Sequence, residues 1–371
     1  MRRSALTSLY VHIPFCESKC YYCDFCSGKY NNDVIENYFE KLVDEIVHSR
    51  LDDKIGTIFI GGGTPSSVCS SYIGKMIDVI HKNYSVAENA EISIECNPNS
   101  LTIDKAKDYK KFGINRVSLG VQTTSNELLK TIGRIHNYDE FQRSAEIVST
   151  NFDNYNFDLM LGLPNQTLKD IEKTLNDVLK YNPPHISAYS LILESNTPLS
   201  KMVTEKVVAL PNDDLVVEQY DLANEMLNQR GLYRYEISNF AKPQFECKHN
   251  QNYWSCGEYL GFGLSAHSYK CGVRFSNTSN MKEYLQGTTK SFEEALSQQE
   301  QKEEMIMLAL RTEQGLDLCK YNDRFCENLL REKQKTIANL LKENLIIVNG
   351  TNLKIAPNAF YVSNSIIEEL I

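Results

Sequence analysis

The chain has 371 residues, enough for one large α/β domain and a smaller one. Hydrophobic residues make up 42% and charged residues 23%, an ordinary globular mixture. The net charge of -9, with no long Lys/Arg run, argues against a nucleic-acid surface, because phosphate binding needs a positive field. No apolar run approaches the roughly 18 to 20 residues that span a bilayer, so no integral membrane segment is expected.

Met1-Arg2-Arg3 carries the charge of a targeting signal, but Ser8-Leu9-Tyr10-Val11-His12-Ile13 already reads as a strand. Cleaving a leader would remove that strand, so the expectation is a cytoplasmic protein. Eleven cysteines in a reducing compartment are not expected to pair as disulfides.

In chain order, β-rich runs fall at Leu9–Ile13, Thr57–Ile60, Glu91–Glu95, Arg116–Gly120, Phe157–Leu161, Ile186–Leu193 and Tyr233–Ile237. Helical spacing lies between them at Asp33–Ser49, Thr167–Leu179 and Asp213–Gln229, with a capping start at Thr167. This alternation predicts βαβ units and a parallel sheet or barrel. Barrel chemistry gathers at the carboxyl ends of the strands. The cysteine cluster, Gly61-Gly62-Gly63-Thr64-Pro65, Glu95-Cys96-Asn97-Pro98 and Gln122 all follow predicted strands, and Asp158 lies early in another. From about Asn280 the pattern changes. Helical segments at Gln301–Arg311 and Lys333–Glu343 lead to an Asn349-Gly350 hairpin signal between apolar runs. Helices followed by a hairpin predict a small winged-helix-like α+β module. The expected division is 1–240 for the barrel, 241–290 for flanking elements and 291–371 for the module.

Cys16, Cys20 and Cys23 have the spacing C-x3-C-x2-C. Three thiolates can hold three irons of a four-iron cluster and leave the fourth open for a reacting ligand. A zinc site is the rival, with Cys26 or His12 as fourth ligand. Offsets of four and three also suit one buried helix face, although Pro14, Tyr21, Tyr22 and Phe25 disfavour a regular helix there.

The three cysteines after a first strand, with the aromatic Tyr22 before the last, resemble the radical S-adenosylmethionine (SAM) superfamily. Ser8 through Cys16, Tyr22-Cys23-Asp24-Phe25 and Ile58 through Ser66 narrow the resemblance. So do Val117 through Gln122, Leu129 through His136, Phe157 through Met160 and Gly162-Leu163-Pro164. Together they look like the oxygen-independent coproporphyrinogen III oxidase family, which also includes a heme-chaperone branch. The resemblance runs from about Ser8 to His267. It implies an incomplete (β/α)6-type barrel, a [4Fe-4S] cluster on Cys16, Cys20 and Cys23, and SAM bound to the open iron. An electron from the cluster would then break a carbon–sulfur bond and yield an adenosyl radical.

The resemblance also assigns SAM contacts. Gly62, Gly63 and Thr64 match the amino-group site, where missing side chains let backbone approach closely. Glu95 matches a ribose ligand, and Tyr10, Tyr22, Gln122, Arg134 and Asp158 match further contacts. Read without the resemblance, Arg134 is a solvated loop residue, Tyr10 plain core and Glu95 a strand-end acid. Asp158, between Phe157 and Leu159, would be costly to bury unpaired, which points to a bound ligand or an Arg partner, with Arg134 one candidate.

Two features divide the family. The oxidase branch has a cysteine two positions after the third cluster cysteine, where this chain has Phe25. His249-Asn250-Gln251-Asn252-Tyr253-Trp254 resembles the HNxxYW signature of the chaperone branch and holds the chain's only Trp. An imidazole is a good axial ligand for heme, and Tyr and Trp rings pack a flat porphyrin. The plain reading is a locally bonded His249 with Tyr253 and Trp254 as core. Cys247 and His267 are rival ligands. The expectation is a heme chaperone on a radical SAM scaffold, with heme, an acceptor protein and an electron donor as partners. The alternatives are radical decarboxylation of coproporphyrinogen III and a metal-stabilised structural protein that does not use SAM.

Overall fold

The structure is a computed structural model that describes residues 6–49 and 51–371, so Met1-Arg2-Arg3 lies outside it. The first half alternates β1 (Thr7–Ile13), α1 (Asn32–His48), β2 (Ile55–Gly62), α2 (Ser70–Asn83), β3 (Val86–Cys96), α3 (Ile103–Lys111) and β4 (Arg116–Gln122). It continues with α4 (Asn126–Thr131), α5 (Tyr138–Asn151), β5 (Asn154–Leu161), α6 (Leu168–Leu179) and β6 (His185–Ser190). Strands β1 to β6 lie side by side in that order and every neighbouring pair is parallel.

Alternation along each strand sorts the side chains. Leu9, Val11 and Ile13, then Ile58 and Ile60, Ile92 and Ile94, and Val117 and Leu119 are buried against the helices. They meet Leu42 and Ile46 of α1, Ile73 and Ile77 of α2, and Phe141 and Val148 of α5 in one core. Truncating one of these to Ala should cost about 2–5 kcal/mol. The opposite face carries Tyr10, Phe59, Glu95, Ser118, Asp158 and Ser187, one from each of the six strands. All six line a single cavity, so the sheet curves into a partial barrel. Helices begin where the sequence offers caps: Thr167 and Asp170 form the capping box expected at α6, and Asn31 caps α1.

The barrel is left open. Next come α7 (Pro198–Thr204), α8 (Asp213–Asn228), β7 (Tyr233–Arg234), β8 (Asn239–Ala241), α9 (Lys248–Trp254) and β9 (Tyr259–Phe262). Strand β8 pairs antiparallel with β6, and β9 pairs parallel with β1. Two predicted strands are shorter than expected. Strand β6 stops at Ser190 because β5 turns away at Gly162, whose φ is 74°, and Ile192 is left 72% exposed. The Tyr233–Ile237 run yields only the two-residue β7, because the Glu236 carboxylate accepts from the Ser238 backbone N–H (3.1 Å) and turns the chain into β8. A flank of β10 (His267–Lys270), β11 (Val273–Asn277), α10 (Met281–Leu285) and β12 (Lys290–Ala295) extends the sheet past β9.

The C-terminal module has its own core. It comprises α11 (Gln298–Ala309), β13 (Leu316–Asp317), α12 (Leu318–Phe325), α13 (Leu329–Glu332), α14 (Gln334–Lys342), β14 (Ile346–Asn349), β15 (Asn352–Ile355) and α15 (Ser363–Leu370). Ile306, Leu316, Tyr321, Leu340 and Leu353 centre a cluster separate from that of the barrel. The hairpin predicted at Asn349-Gly350 is present, with Gly350 at φ 60°. Helices plus a small antiparallel sheet match the expected module.

Candidate cofactor site

The cysteine loop joins β1 to α1 at the carboxyl end of the barrel. Its base is pinned by Cys16 N–H to Gly28 O and Gly28 N–H to Pro14 O, both 2.9 Å. Cys16 Sγ accepts from Thr64 Oγ1 at 3.6 Å, and Cys20 Sγ from the Arg134 guanidinium at 3.6 Å. All three thiols are partly exposed, and burial pushes that of Cys23 up. Among the described residues no three His, Cys, Asp or Glu converge as ligands of a single ion would. Thiolates of a four-iron cluster bind separate irons and need no such convergence. Both proposed fourth ligands are engaged elsewhere. Cys26 Sγ lies on Ser279 O at 3.5 Å, while the His12 ring bridges Tyr10 Oη (3.0 Å) and Cys26 O (2.9 Å).

The glycine run forms a cradle beside this loop. Gly62 has φ 112°, and a Cβ there would meet the His12 ring at 2.5 Å. A Cβ on Gly63 would lie 2.8 Å from Phe15 O and 3.0 Å from Cys16 Sγ. Backbone without side chains beside the Cys16 thiol would suit a small chelating ligand, and three partly exposed thiols on one loop would suit a cluster, so the residues fit both groups.

Below the cradle is the lumen, a cavity of about 300 Å³ with Phe25 and His12 at its mouth. Glu95 accepts from Gly62 N–H at 3.1 Å. Enclosure in the lumen, with the Asp158 charge nearby, pushes its carboxyl up to about 7. Asp158 accepts from Ser118 Oγ (3.0 Å) and Asn156 Nδ2 (2.6 Å), and its carboxyl is also raised by burial. The expected Arg134–Asp158 pair is not formed. Arg134 instead spans Gly120 O, Asn97 Oδ1 and Cys20 Sγ, because its loop follows β4 and lies beside the cysteine loop. Gln122 sits at φ 65° on a bulge of β4, which re-aims its amide toward Tyr189 Oη at 2.9 Å. Tyr22 is not among the residues that line the lumen and packs with Leu128, Ile132 and Met160.

Helix α9 forms the floor. Glu91, buried on β3, accepts from the backbone N–H groups of Lys248 (3.1 Å) and His249 (3.2 Å) and from Cys247 Sγ (3.5 Å). A carboxylate at this helix start meets its positive end. Arg116, only 2% exposed, supplies the compensating charge. His249 is buried, with Nδ1 on Thr57 Oγ1 (2.7 Å), Nε2 on Tyr253 Oη (2.9 Å) and its ring stacked on Phe59. Burial and the nearby Arg116 charge push its pKa down to about 3. Cys247 is fully buried and burial pushes its thiol up to about 12, whereas His267 is exposed at the start of β10, outside the lumen. Arg116, Ser118, Asn156, Ser187 and Glu91 were not among the site residues expected from the sequence. A polar residue at every second position of β3, β4 and β5 was the available signal.

Residues 10–178 match the family model of the radical SAM superfamily, and residues 296–362 that of the HemN C-terminal domain. Over 354 residues the chain is 35% identical to the heme chaperone HemW of Bacillus subtilis (strain 168), covering 92% of this chain and 93% of that one. The chain belongs to the HemW family. HemW of Lactococcus lactis subsp. lactis (strain IL1403) is 33% identical over 98% of this chain and 97% of its own. HemW of Escherichia coli (strain K12) is 36% identical over 76% of each. Among solved structures, coproporphyrinogen III oxidase (HemN) from Escherichia coli superposes with a TM-score of 0.86 at 23% identity, over 99% of this chain and 90% of that one, and so shares the fold. Radical SAM membership implies a [4Fe-4S] cluster and SAM for this HemW-family chain. Among its described residues no helix is long and apolar enough to cross a membrane.

Proposed function

We propose that this chain is a heme chaperone, which binds heme and passes it to an acceptor protein, with a [4Fe-4S] cluster and SAM held at the barrel rim. The size of the lumen carries this reading. Pockets for drug-sized ligands run from about 300 to 1,000 Å³. At about 300 Å³ the lumen has room for one ligand of SAM's size against the glycine cradle, and none for a tetrapyrrole beside it. Phe25 at the mouth and the α9 motif on the floor agree, as does the name of the relatives matched along nearly the whole chain.

Cys16, Cys20 and Cys23 would hold the cluster. Gly62, Gly63 and Thr64 would receive the SAM amino group, Glu95 its ribose hydroxyls, and Tyr10, Tyr22, Gln122, Arg134 and Asp158 would complete the site. When bound, the pair supplies one-electron chemistry at the sulfonium. The chain positions it: Arg134 ties the Cys20 thiol to β4, and His12 fixes the far end of the cysteine loop to Tyr10. His249 lines the lumen and would have to leave Thr57 or Tyr253 to reach a heme iron, so the variant tests whether it ligates the iron or only positions α9. An electron donor and the acceptor would dock outside the lumen.

The test is a hemin titration of the anaerobically reconstituted protein, wild type beside His249→Ala, followed by the Soret band. Saturable one-to-one uptake supports the chaperone reading, and its weakening in the variant supports the role of α9. No uptake, together with decarboxylation of coproporphyrinogen III in the presence of SAM and a reductant, would replace it with the oxidase reading.

A further inference from the structure

A second cavity lies on the far side of α9. It is a cleft of about 700 Å³, bounded by the amino ends of β1 and β2, the outer face of α9, and α11 and β13 of the C-terminal module. It exceeds the lumen more than twofold in volume. Its walls include Leu6, Trp254, Met305, Ala309 and Leu316, so it offers apolar surface from three separate parts of the chain. Trp254 is the chain's only tryptophan, and its indole N–H is enclosed without an acceptor among the described residues. Such a donor is costly in a finished core. Lys248 stands exposed at the edge. Three acids line it: Glu313 is paired with Arg234 and Asp317 with Lys320 at 3.7 Å, while Glu246 has no ion pair among the described residues.

We infer that this cleft, and not the lumen, holds the heme; the inference rests on the chaperone reading. A tetrapyrrole is broad, flat and apolar with carboxylates along one edge. It needs a site in the upper part of the usual volume range, aromatic and thioether surface for its faces, and a cation for its propionates. The cleft supplies each, and the lumen lacks the volume. Thr57 lines the cleft while its hydroxyl holds His249 Nδ1, so a single helix separates the two sites. Heme would also sit between barrel and module.

The test uses the full-length reconstituted protein and hemin, read by the Soret band and by quenching of Trp254 fluorescence. Ala309→Phe fills the cleft from the module side, and Lys248→Glu reverses the edge charge from the α9 side. Each should weaken hemin binding at least tenfold while iron content and SAM affinity stay at wild-type values. Those two values also show whether a variant has folded. Tight wild-type binding unchanged in both variants would overturn the cleft and leave the chaperone reading standing. A wild type that takes up no hemin would overturn both.

Discussion

The rim and the floor of the barrel are lined by the same six strands yet built on opposite principles. At the rim, partly exposed thiols sit beside glycines whose missing side chains let the loops pack closely, and Gln122 is at positive φ. At the floor, Glu91, Arg116, Cys247 and His249 are buried and knit to α9. The rim is held loosely and partly exposed, whereas the lumen side of the floor is tied by buried hydrogen bonds. Mutations should therefore separate, with rim variants losing cofactor but keeping the fold, and floor variants losing stability first.

The largest effect belongs to the cluster. Replacing Cys16, Cys20 or Cys23 with Ala should abolish iron uptake on reconstitution, while Cys26→Ala should retain it, because its thiol lies on Ser279 O away from the trio. Iron and sulfide analysis with circular dichroism checks both halves. Iron loss in Cys26→Ala with the others intact would redraw the site.

Next comes the floor. Glu91→Ala removes three hydrogen bonds at the start of α9 and one of the negative charges near buried Arg116. Each hydrogen bond to a charged group is worth about 1.5–3 kcal/mol, so a loss of about 3–5 kcal/mol is expected. Denaturant melts should show that loss, and Glu91→Gln, which can still accept hydrogen bonds, should lose less. A loss below about 1 kcal/mol would mean that α9 is held by packing alone.

Titration gives the two ends opposite signs. Folded His249 is held near 3, below its unfolded value, so below about 6.5 the unfolded chain binds the extra proton. Its contribution is complete above about pH 6.5 and is lost as pH falls toward 3. Glu95 in the ligand-free protein is held near 7, above its unfolded value, so the folded chain binds the extra proton. Its contribution is present below about pH 4.5 and is lost as pH rises toward 7. Each unit is worth about 1.4 kcal/mol. Relative to wild type, His249→Gln should thus flatten the acid limb of a stability–pH curve, and Glu95→Gln should gain about 2–3 kcal/mol between pH 5 and 8. Parallel curves for all three proteins would contradict both assignments.

The sequence made most of the frame legible, and physics says which parts. Strand alternation and helical spacing placed β1 to β6 because buried faces impose a period that local chemistry cannot hide. The cysteine spacing and the glycine run were readable because they are local. The partner of Asp158 was not. Which polar group meets which across a barrel depends on strand stagger, and the stagger set Ser118 of β4 beside it, while Arg134 turned to Gly120 O. The cleft was equally hidden, because Leu6, Trp254 and Ala309 come together only once the module has docked.

The smallest expected effect tests the cradle itself. Gly62 and Gly350 both have positive φ, at 112° and 60°. At Gly350 nothing lies within 4 Å of an added Cβ, so Gly350→Ala meets only the backbone cost of about 1 kcal/mol. At Gly62 the same methyl would strike the His12 ring, which holds the cysteine loop through Cys26 O. Gly62→Ala should therefore add a cofactor defect to the backbone cost, seen as weaker SAM binding and slower cluster assembly, neither of which Gly350→Ala should show. Equal SAM affinity in the two variants would mean that the run at Gly62 is a turn and no cradle.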